Sequence, residues 1–183
     1  MLKSTNDRID CANGIHLTVI DYPDAESLAK YLNDPAIYAT TGSIPYPYSL
    51  KDAKAFISAV LKFEGENQIQ RDWAIRNADG ELIGGIGFLF NHGITSHKSE
   101  IGYWLGKPFW NQGIGSNVLK TWSDEMLRTR PLIRLEALVF DHNLSSCKVL
   151  ENAGFAKEGY LLKACKKGDE FKNVYLYGKI DEK

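Results

Sequence analysis

The sequence has no apolar run approaching the roughly 20 residues needed to span a bilayer, and its start, MLKSTNDRIDCANG, has no apolar stretch of the kind a secretory signal requires. Both absences lead to the expectation of a soluble, cytoplasmic protein. An excess of charge is lacking too: 22 Lys and Arg face 23 Asp and Glu, so no global field draws the chain to nucleic acid or to a membrane surface, and neither is expected as a partner. Cysteine is scarce. Cys11, Cys147 and Cys165 are odd in number and lack paired metal-ligand spacing, as do His16, His92, His97 and His142. Free thiols and no catalytic metal are therefore expected. No repeat, low-complexity tract or linker interrupts the chain. Its 183 residues, 44% hydrophobic, suffice for one sizeable core and one domain spanning residues 1–183.

Apolar spacing supplies the elements. Ile15, Leu17, Val19 and Ile20 predict an edge strand. Asp21 then caps a helix burying Leu28, Tyr31 and Leu32. After the irregular stretch TTGSIPYPY, Ser49 and Asp52 form a capping-box pattern ahead of Ala53, Phe56, Ile57 and Val60 at helical spacing. In DWAIRNADGELIGGIGFLF two alternating runs flank the turn pair Asp79–Gly80, which predicts a hairpin whose second arm is irregular around Gly84, Gly85 and Gly87. The run EIGYWL adds a strand with Glu100, Gly102 and Trp104 on one face and Ile101, Tyr103 and Leu105 on the other. Beyond a glycine-bearing turn, Val118, Leu119, Trp122 and Met126 recur as a helix, and residues 134–140 read as a buried strand. Asn143 caps a helix carrying Cys147, Leu150 and Ala153, with Gly154 as its stop. Two closing strands, about 159–165 and 171–179, flank a turn at 166–169.

The turn KPFWNQGIGS, residues 107–116, carries the first chemistry. A turn joining a strand to a helix leaves the helix's first N–H groups unpaired, where the macrodipole adds about half a positive charge, so the spot attracts phosphate. Glycine at positions 113 and 115 keeps side chains out of the anion's way and permits positive φ, and Ser116 adds a hydroxyl. The plainer reading is a tight connection with no ligand. A dinucleotide fingerprint would also put glycines between strand and helix, with an acid at the end of the next strand, where Asp141 sits. Against it, Val118 stands where a third small residue belongs, residues 107–110 separate glycines from strand, and the turn follows an antiparallel meander. A Walker loop is excluded because no G-K-[ST] is present.

The segments SEIGYWLGKPFWNQGIGSNVLKTW and RLEALVFDHNLSSCKVLENAGFAKEGYL, with DWAIRNADGELIGGIGF before them, closely resemble the GNAT superfamily of N-acetyltransferases, in particular its ribosomal-protein N-terminal acetyltransferase-like branch. The resemblance implies an α/β (α+β) fold: a mixed, mostly antiparallel seven-stranded sheet, splayed between its fourth and fifth strands, with about four helices. It implies acetyl-CoA as cosubstrate, with the pyrophosphate on Asn111, Gln112, Gly113, Ile114, Gly115 and Ser116. The pantetheine arm would lie in the splay, against the backbone of Tyr103, Trp104 and Leu105 and against Asn143. One departure stands out. Trp110 occupies the place where the superfamily's broad motif begins with Gln or Arg, so no guanidinium reaches the phosphates from there.

Direct transfer of an acetyl group from a thioester to a primary amine, a protein N-terminus or a small-molecule amine, needs a neutral amine, an oxyanion site and a proton for the thiolate. Glu100 is the candidate base, directly or through water; the alternative is a solvated carboxylate. Many superfamily members donate the thiolate proton from a tyrosine at the position of Leu150. Here Ser146, in an N-x-x-S pattern like that of the branch, is the substitute; the alternative is a first-turn serine that only caps. Cys147 beside it has no histidine partner and its periodicity points to the core. Tyr46 and Tyr48 are candidates for the acceptor pocket, which the connection between the first two helices borders in the family, or else anchors of a long loop. The missing tyrosine keeps open a second reading, a non-catalytic acyl-CoA-binding module. A homodimer is also left open, since the last strands often mediate pairing in the family.

Overall fold

In the computed structural model the described residues are 8–89 and 97–181. They form eight strands and five α-helices, with strand order β1-β2-β3-β4-β5-β6-β8-β7. The sequence reading counted seven strands and about four helices. The additional strand is β1 (Ile9–Asp10), which pairs with β2 (His16–Thr18). It moves β2 from the edge to an interior position, since β2 also pairs with β3. The additional helix is α2 (Pro35–Thr40). Asp34 caps it by accepting from the Ala36 N–H, and Pro35 stands in its first turn, where a missing N–H costs nothing.

The residues fall into two compact units, Met1–Gly87 with Tyr103–Ile114, and Phe88–Gly102 with Gly115–Lys183. In the first, Asp21 and Asp24 form a capping box that leads into α1 (Ala25–Leu32), and Ser49 and Asp52 form another at the start of α3 (Leu50–Asn67). The apolar faces of these helices meet β3 (Asp72–Arg76) and β4 (Leu82–Leu89) in one core that includes Leu28, Leu32, Ile57, Ala74 and Leu82. Arg76 ties the unit together. Its guanidinium grips both carboxylate oxygens of Asp24, at 2.7 and 3.0 Å, and donates to Thr18 Oγ1 at 2.6 Å.

The expected irregularity of the hairpin's second arm is a bulge. Ile75 pairs with Gly84 and Arg76 with Leu82, which leaves Ile83 as the extra residue. The glycines beside it have a different cause, close approach of a side chain and backbone. A methyl group at Gly84 would lie 2.6 Å from the Trp104 carbonyl oxygen, and one at Gly85 would lie 2.7 Å from the Trp104 indole nitrogen.

In the second unit, α4 (Ile114–Thr129) buries Val118, Leu119, Trp122 and Met126 as its spacing predicts. The Trp122 ring stands 4.9 Å from that of Phe88. The first residues of β5 (Lys98–Leu105) run parallel to β6 (Arg134–Phe140), with Lys98, Ser99 and Glu100 in register with Arg134, Leu135 and Glu136. The registered pairing ends there, whereas β6 continues to Phe140 paired with β8 (Glu170–Ile180) along its whole length. This is the pair of strands from which the splay was expected. Helix α5 (Leu144–Asn152) buries Cys147 and Leu150, and Gly154 ends it at φ 88°. Strand β7 (Ala156–Lys167) begins and ends beyond its expected limits and pairs with β8.

Candidate active site

Two segments of backbone, each at the start of a helix, carry most of the predicted site. The first begins where β5 ends. The Gly106 N–H donates to the Ile83 carbonyl at 2.8 Å, and a short 3-10 turn, Lys107–Phe109, follows. Phe109 packs edge-on against Tyr31, ring centroids 5.5 Å apart. Trp110 donates its indole N–H to the Leu105 carbonyl at 2.6 Å, and Gln112 donates its side-chain amide to the Pro108 carbonyl at 2.9 Å. The chain then reverses through two left-handed residues, Asn111 at φ 57° and Gly113 at φ 74°, and α4 starts at Ile114. Asn111, Gln112 and Gly113 are exposed. The first N–H groups of α4 lack intrahelical partners and carry the positive end of its dipole.

The two glycines of this turn answer to different constraints. Gly113 holds a φ that costs an L side chain about 1–2 kcal/mol, although nothing lies within 4 Å of where a methyl would sit. Gly115 has no positive φ, and a methyl there would meet only the Val149 methyls, at 3.6 and 3.7 Å, an ordinary contact. Within the second unit, the Ser116 hydroxyl accepts from the Asn152 amide at 3.5 Å, so its own O–H remains a donor.

The second segment is Asp141–Asn143, between β6 and α5. The Asn143 N–H closes the turn onto the Phe140 carbonyl at 2.8 Å. The Asn143 side chain then accepts from the Ser146 N–H at 3.2 Å, the cap predicted from sequence. His142 stacks on Phe140, with the rings 5.5 Å apart. Ser146 is half-buried in the first turn, while Cys147 points into the core at 5% exposure. Leu150, where a tyrosine acid would stand, is fully buried. The tyrosine that does reach α5 is Tyr177 of β8. Its hydroxyl donates to Glu151 at 2.9 Å, and burial, with Cys147 and Glu151 beside it, drives its pKa far above the ordinary tyrosine range. Tyr177 is fully buried, within the core that packs α5.

Glu100 is half-buried on β5 in register with Glu136. Burial works to raise the Glu136 carboxyl, but Arg134 at 2.7 Å and Lys98 at 3.1 Å outweigh it and hold the group below the usual carboxylate range. The Cys165 thiol on β7 is pushed up by burial and also by the charge of Glu100. The aromatic loop residues separate. Tyr48 is buried in the core of the first unit, its N–H donating to Asn33 Oδ1 at 3.1 Å, and burial raises its hydroxyl to about 12. Tyr46 is 47% exposed, with its ring 5.9 Å from that of Tyr38.

Tyr46, Tyr48, Tyr103, Trp104, Leu105 and Asn111 to Ile114 thus belong to the first unit, and Glu100, Gly115, Ser116, Asn143 and Ser146 to the second. The sequence reading missed Tyr160 and Asn173, which bond to Asp141. They stand on β7 and β8, and only strand register brings them to the turn before α5. Among the described residues no cluster of three or more His, Cys, Asp or Glu is arranged to hold a metal ion, and no helix is long and apolar enough to cross a membrane. His92 lies outside the described residues.

Residues 15–156 match the acetyltransferase (GNAT) domain family. The chain belongs to the GNAT family. It is an acetyl-CoA-dependent N-acetyltransferase by that membership, and named relatives accord with it. An uncharacterized N-acetyltransferase p20 from Bacillus licheniformis is 29% identical over 161 residues, covering 88% of this chain and 89% of the relative. Among solved structures, the ribosomal-protein-S5-alanine acetyltransferase from Vibrio fischeri superposes with a TM-score of 0.83 at 19% identity, over 97% of this chain and 98% of that one. The microcin C7 self-immunity acetyltransferase, solved with acetyl-CoA and AMP, superposes with a TM-score of 0.83 at 20% identity, over 98% of each chain. At these identities the two structures establish the fold of this GNAT chain.

Proposed function

We propose that residues 1–183 form one catalytic domain that transfers an acetyl group from acetyl-CoA directly to a primary α-amine at the N-terminus of a peptide or protein. The observation that carries the donor assignment is the start of α4, where two left-handed residues, Asn111 and Gly113, turn the chain into a helix whose first amides have no intrahelical acceptors. The pyrophosphate would take these amides as donors. The backbone of Tyr103, Trp104 and Leu105 would pair with the pantetheine amides; the Leu105 carbonyl, which accepts from Trp110, keeps a second lone pair for this.

In the ternary complex Glu100 would take a proton from the acceptor ammonium, directly or through water, so that the neutral amine attacks, and Ser146 would donate to the departing sulfur. No covalent enzyme intermediate is needed: the C–N bond forms and the C–S bond breaks, the nitrogen of the neutral amine loses one proton on acylation, and the thiolate gains one. The acceptor assignment is supported by the likeness to a ribosomal-protein-alanine acetyltransferase. It also fits the reference pKa of an α-amine, about 8 against about 10.4 for lysine, which makes deprotonation easier. A small-molecule amine is the second reading, supported by the likeness to the microcin self-immunity enzyme. Mass spectrometry of a panel of peptides and small amines incubated with protein and acetyl-CoA tests both. A +42 Da product on peptide α-amines supports the first reading, a product confined to small amines replaces it with the second, and thiol release that needs no amine refutes both.

A further inference from the structure

The turn between β6 and α5 is three residues long, yet it receives hydrogen bonds from two further strands. Asp141 Oδ2 accepts from the Tyr160 hydroxyl of β7 at 2.9 Å and from the Asn173 side-chain amide of β8 at 3.3 Å. The same Asn173 amide nitrogen donates to the Tyr160 oxygen at 2.9 Å, which closes a triangle. On its other side Asn173 Oδ1 accepts from the Lys163 N–H at 2.9 Å. Lys163 has a φ of 50°, inside the stretch where β7 slips register against β8 between Leu161 and Cys165. The backbone adds another tie, Asp141 N–H to the Asn173 carbonyl at 3.2 Å.

This is much fixing for a turn on the surface. Tyr160 is 48% exposed and Asp141 half-buried, so little apolar burial depends on these bonds, and a hydrogen-bonded network at such a place serves orientation more than core stability. What it orients follows in the chain. Two residues after Asp141 comes Asn143, whose side chain caps α5 through the Ser146 N–H. The direction in which Asp141 is held therefore decides where the first turn of α5, with Asn143 and Ser146, points.

We infer that Tyr160 and Asn173 are positioning residues of the acetyl transfer: acting through Asp141, they set the Asn143–Ser146 turn against the thioester. The inference rests on the reading of Ser146 and Asn143 as site residues. Because Ser146 acts on the sulfur as charge develops on it, displacement of this turn lowers kcat more than it raises the KM for acetyl-CoA, whose pyrophosphate is held at α4.

The test is steady-state kinetics and melting temperature for Tyr160→Phe, Asn173→Ala, Asp141→Ala and Asp141→Asn, with Ser146→Ala and Asn143→Ala in parallel. Tyr160→Phe and Asn173→Ala are expected to lower kcat roughly tenfold, with KM for acetyl-CoA within about twofold and the melt unchanged. Asp141→Ala falls at least as far. Asp141→Asn, which keeps an acceptor oxygen for the Tyr160 hydroxyl, recovers most of the loss. The double variant Tyr160→Phe/Asp141→Ala is no slower than Asp141→Ala alone, since both act through one group. If Ser146→Ala and Asn143→Ala leave turnover intact, the site reading fails and the inference with it. If they slow turnover while Tyr160→Phe and Asn173→Ala do not, or slow it only together with a lowered melt, the positioning role alone is overturned.

Discussion

Replacing Gly115 separates what the turn does for the fold from what it does for the ligand. At Gly115→Ala the added methyl meets the Val149 methyls at 3.6–3.7 Å, so nothing must move. The position is the second residue of α4 and has no positive φ. Alanine in a helix is favoured over glycine by about 0.5–1 kcal/mol, and for a chain of this size that raises the melting temperature by about 1–4 °C. Without ligand, then, Gly115→Ala is neutral or stabilising. If the pyrophosphate takes the amides of this helix start as proposed, the methyl would crowd its approach. Loss of one charge-assisted hydrogen bond removes about 1.5–3 kcal/mol, which is roughly 10- to 150-fold in Kd. Gly115→Glu adds a carboxylate near the phosphates; one like-charge pair at about 4 Å costs about 4 kcal/mol at an effective dielectric of 20, so binding falls about a thousandfold before bulk is counted. Gly113→Ala is the contrasting control. There the φ of 74° makes alanine lose about 1–2 kcal/mol, a fall of about 2–8 °C. Calorimetric titration of acetyl-CoA and ligand-free melts are the two assays. If Gly115→Glu binds acetyl-CoA as the parent does, the pyrophosphate is not at this helix start; if Gly115→Ala melts well below the parent, the glycine is structural and the separation is wrong.

Three further outcomes follow from the same geometry. Glu100→Gln should lower kcat by about 10²–10⁴ and erase the acidic limb of the pH–rate profile; an unaltered profile removes Glu100 as the base. Asp24→Ala strips Arg76 of its bidentate partner in a mostly buried setting, a loss of about 3–5 kcal/mol, or about 6–20 °C in a melt; a shift under 2 °C would contradict the weight given to this pair. Glu136 has its carboxyl held below the ordinary range in the folded chain, so its ion pairs with Arg134 and Lys98 contribute fully above the unfolded value of about 4.3 and are lost as pH falls through the lower folded value. Glu136→Gln should therefore flatten the stability profile in that acidic window, read by melts between about pH 2 and 6, and parallel profiles would refute the assignment.

Much of the architecture was legible because local signals agreed. The capping box at Ser49–Asp52 formed where the side chains dictated, whereas Asp21 caps the 3-10 turn Tyr22–Asp24 that leads into α1 and not α1 itself; the limits of β6 and the cap at Asn143 were set by runs short enough to admit one solution. Helix α2 went unread although Asp34–Pro35 is itself a start signal, because its six residues leave too little apolar periodicity to register. Strand β1 is two residues long and exists only through pairing with β2. The glycines of β4 were rightly seen as a disturbance, yet the cause at Gly84 and Gly85, the Trp104 carbonyl and indole lying against them, comes from a strand some twenty residues on, and at Gly87 it is the backbone of Arg71 and the Asp72 side chain. The site divides in the same way. The start of α4 could be found because helix-terminus chemistry is local, whereas the bonds from Tyr160 and Asn173 to Asp141 depend on the register of β7 and β8, which nothing near residue 141 encodes.

Trp110 shows how a departure from a motif can be absorbed. A guanidinium at this position would bring charge to the phosphates; the indole brings one N–H and spends it on the Leu105 carbonyl. That bond spans the segment from the end of β5 to the left-handed Asn111, and with the Gly106–Ile83 and Gln112–Pro108 bonds it fixes both sides of the turn. If the phosphates bind at this turn as proposed, the loss of a cation would be offset by a turn already held in the conformation that presents the amides, so that less ordering remains to be done when the ligand arrives. What these three bonds preserve is the geometry of the turn that leads into α4.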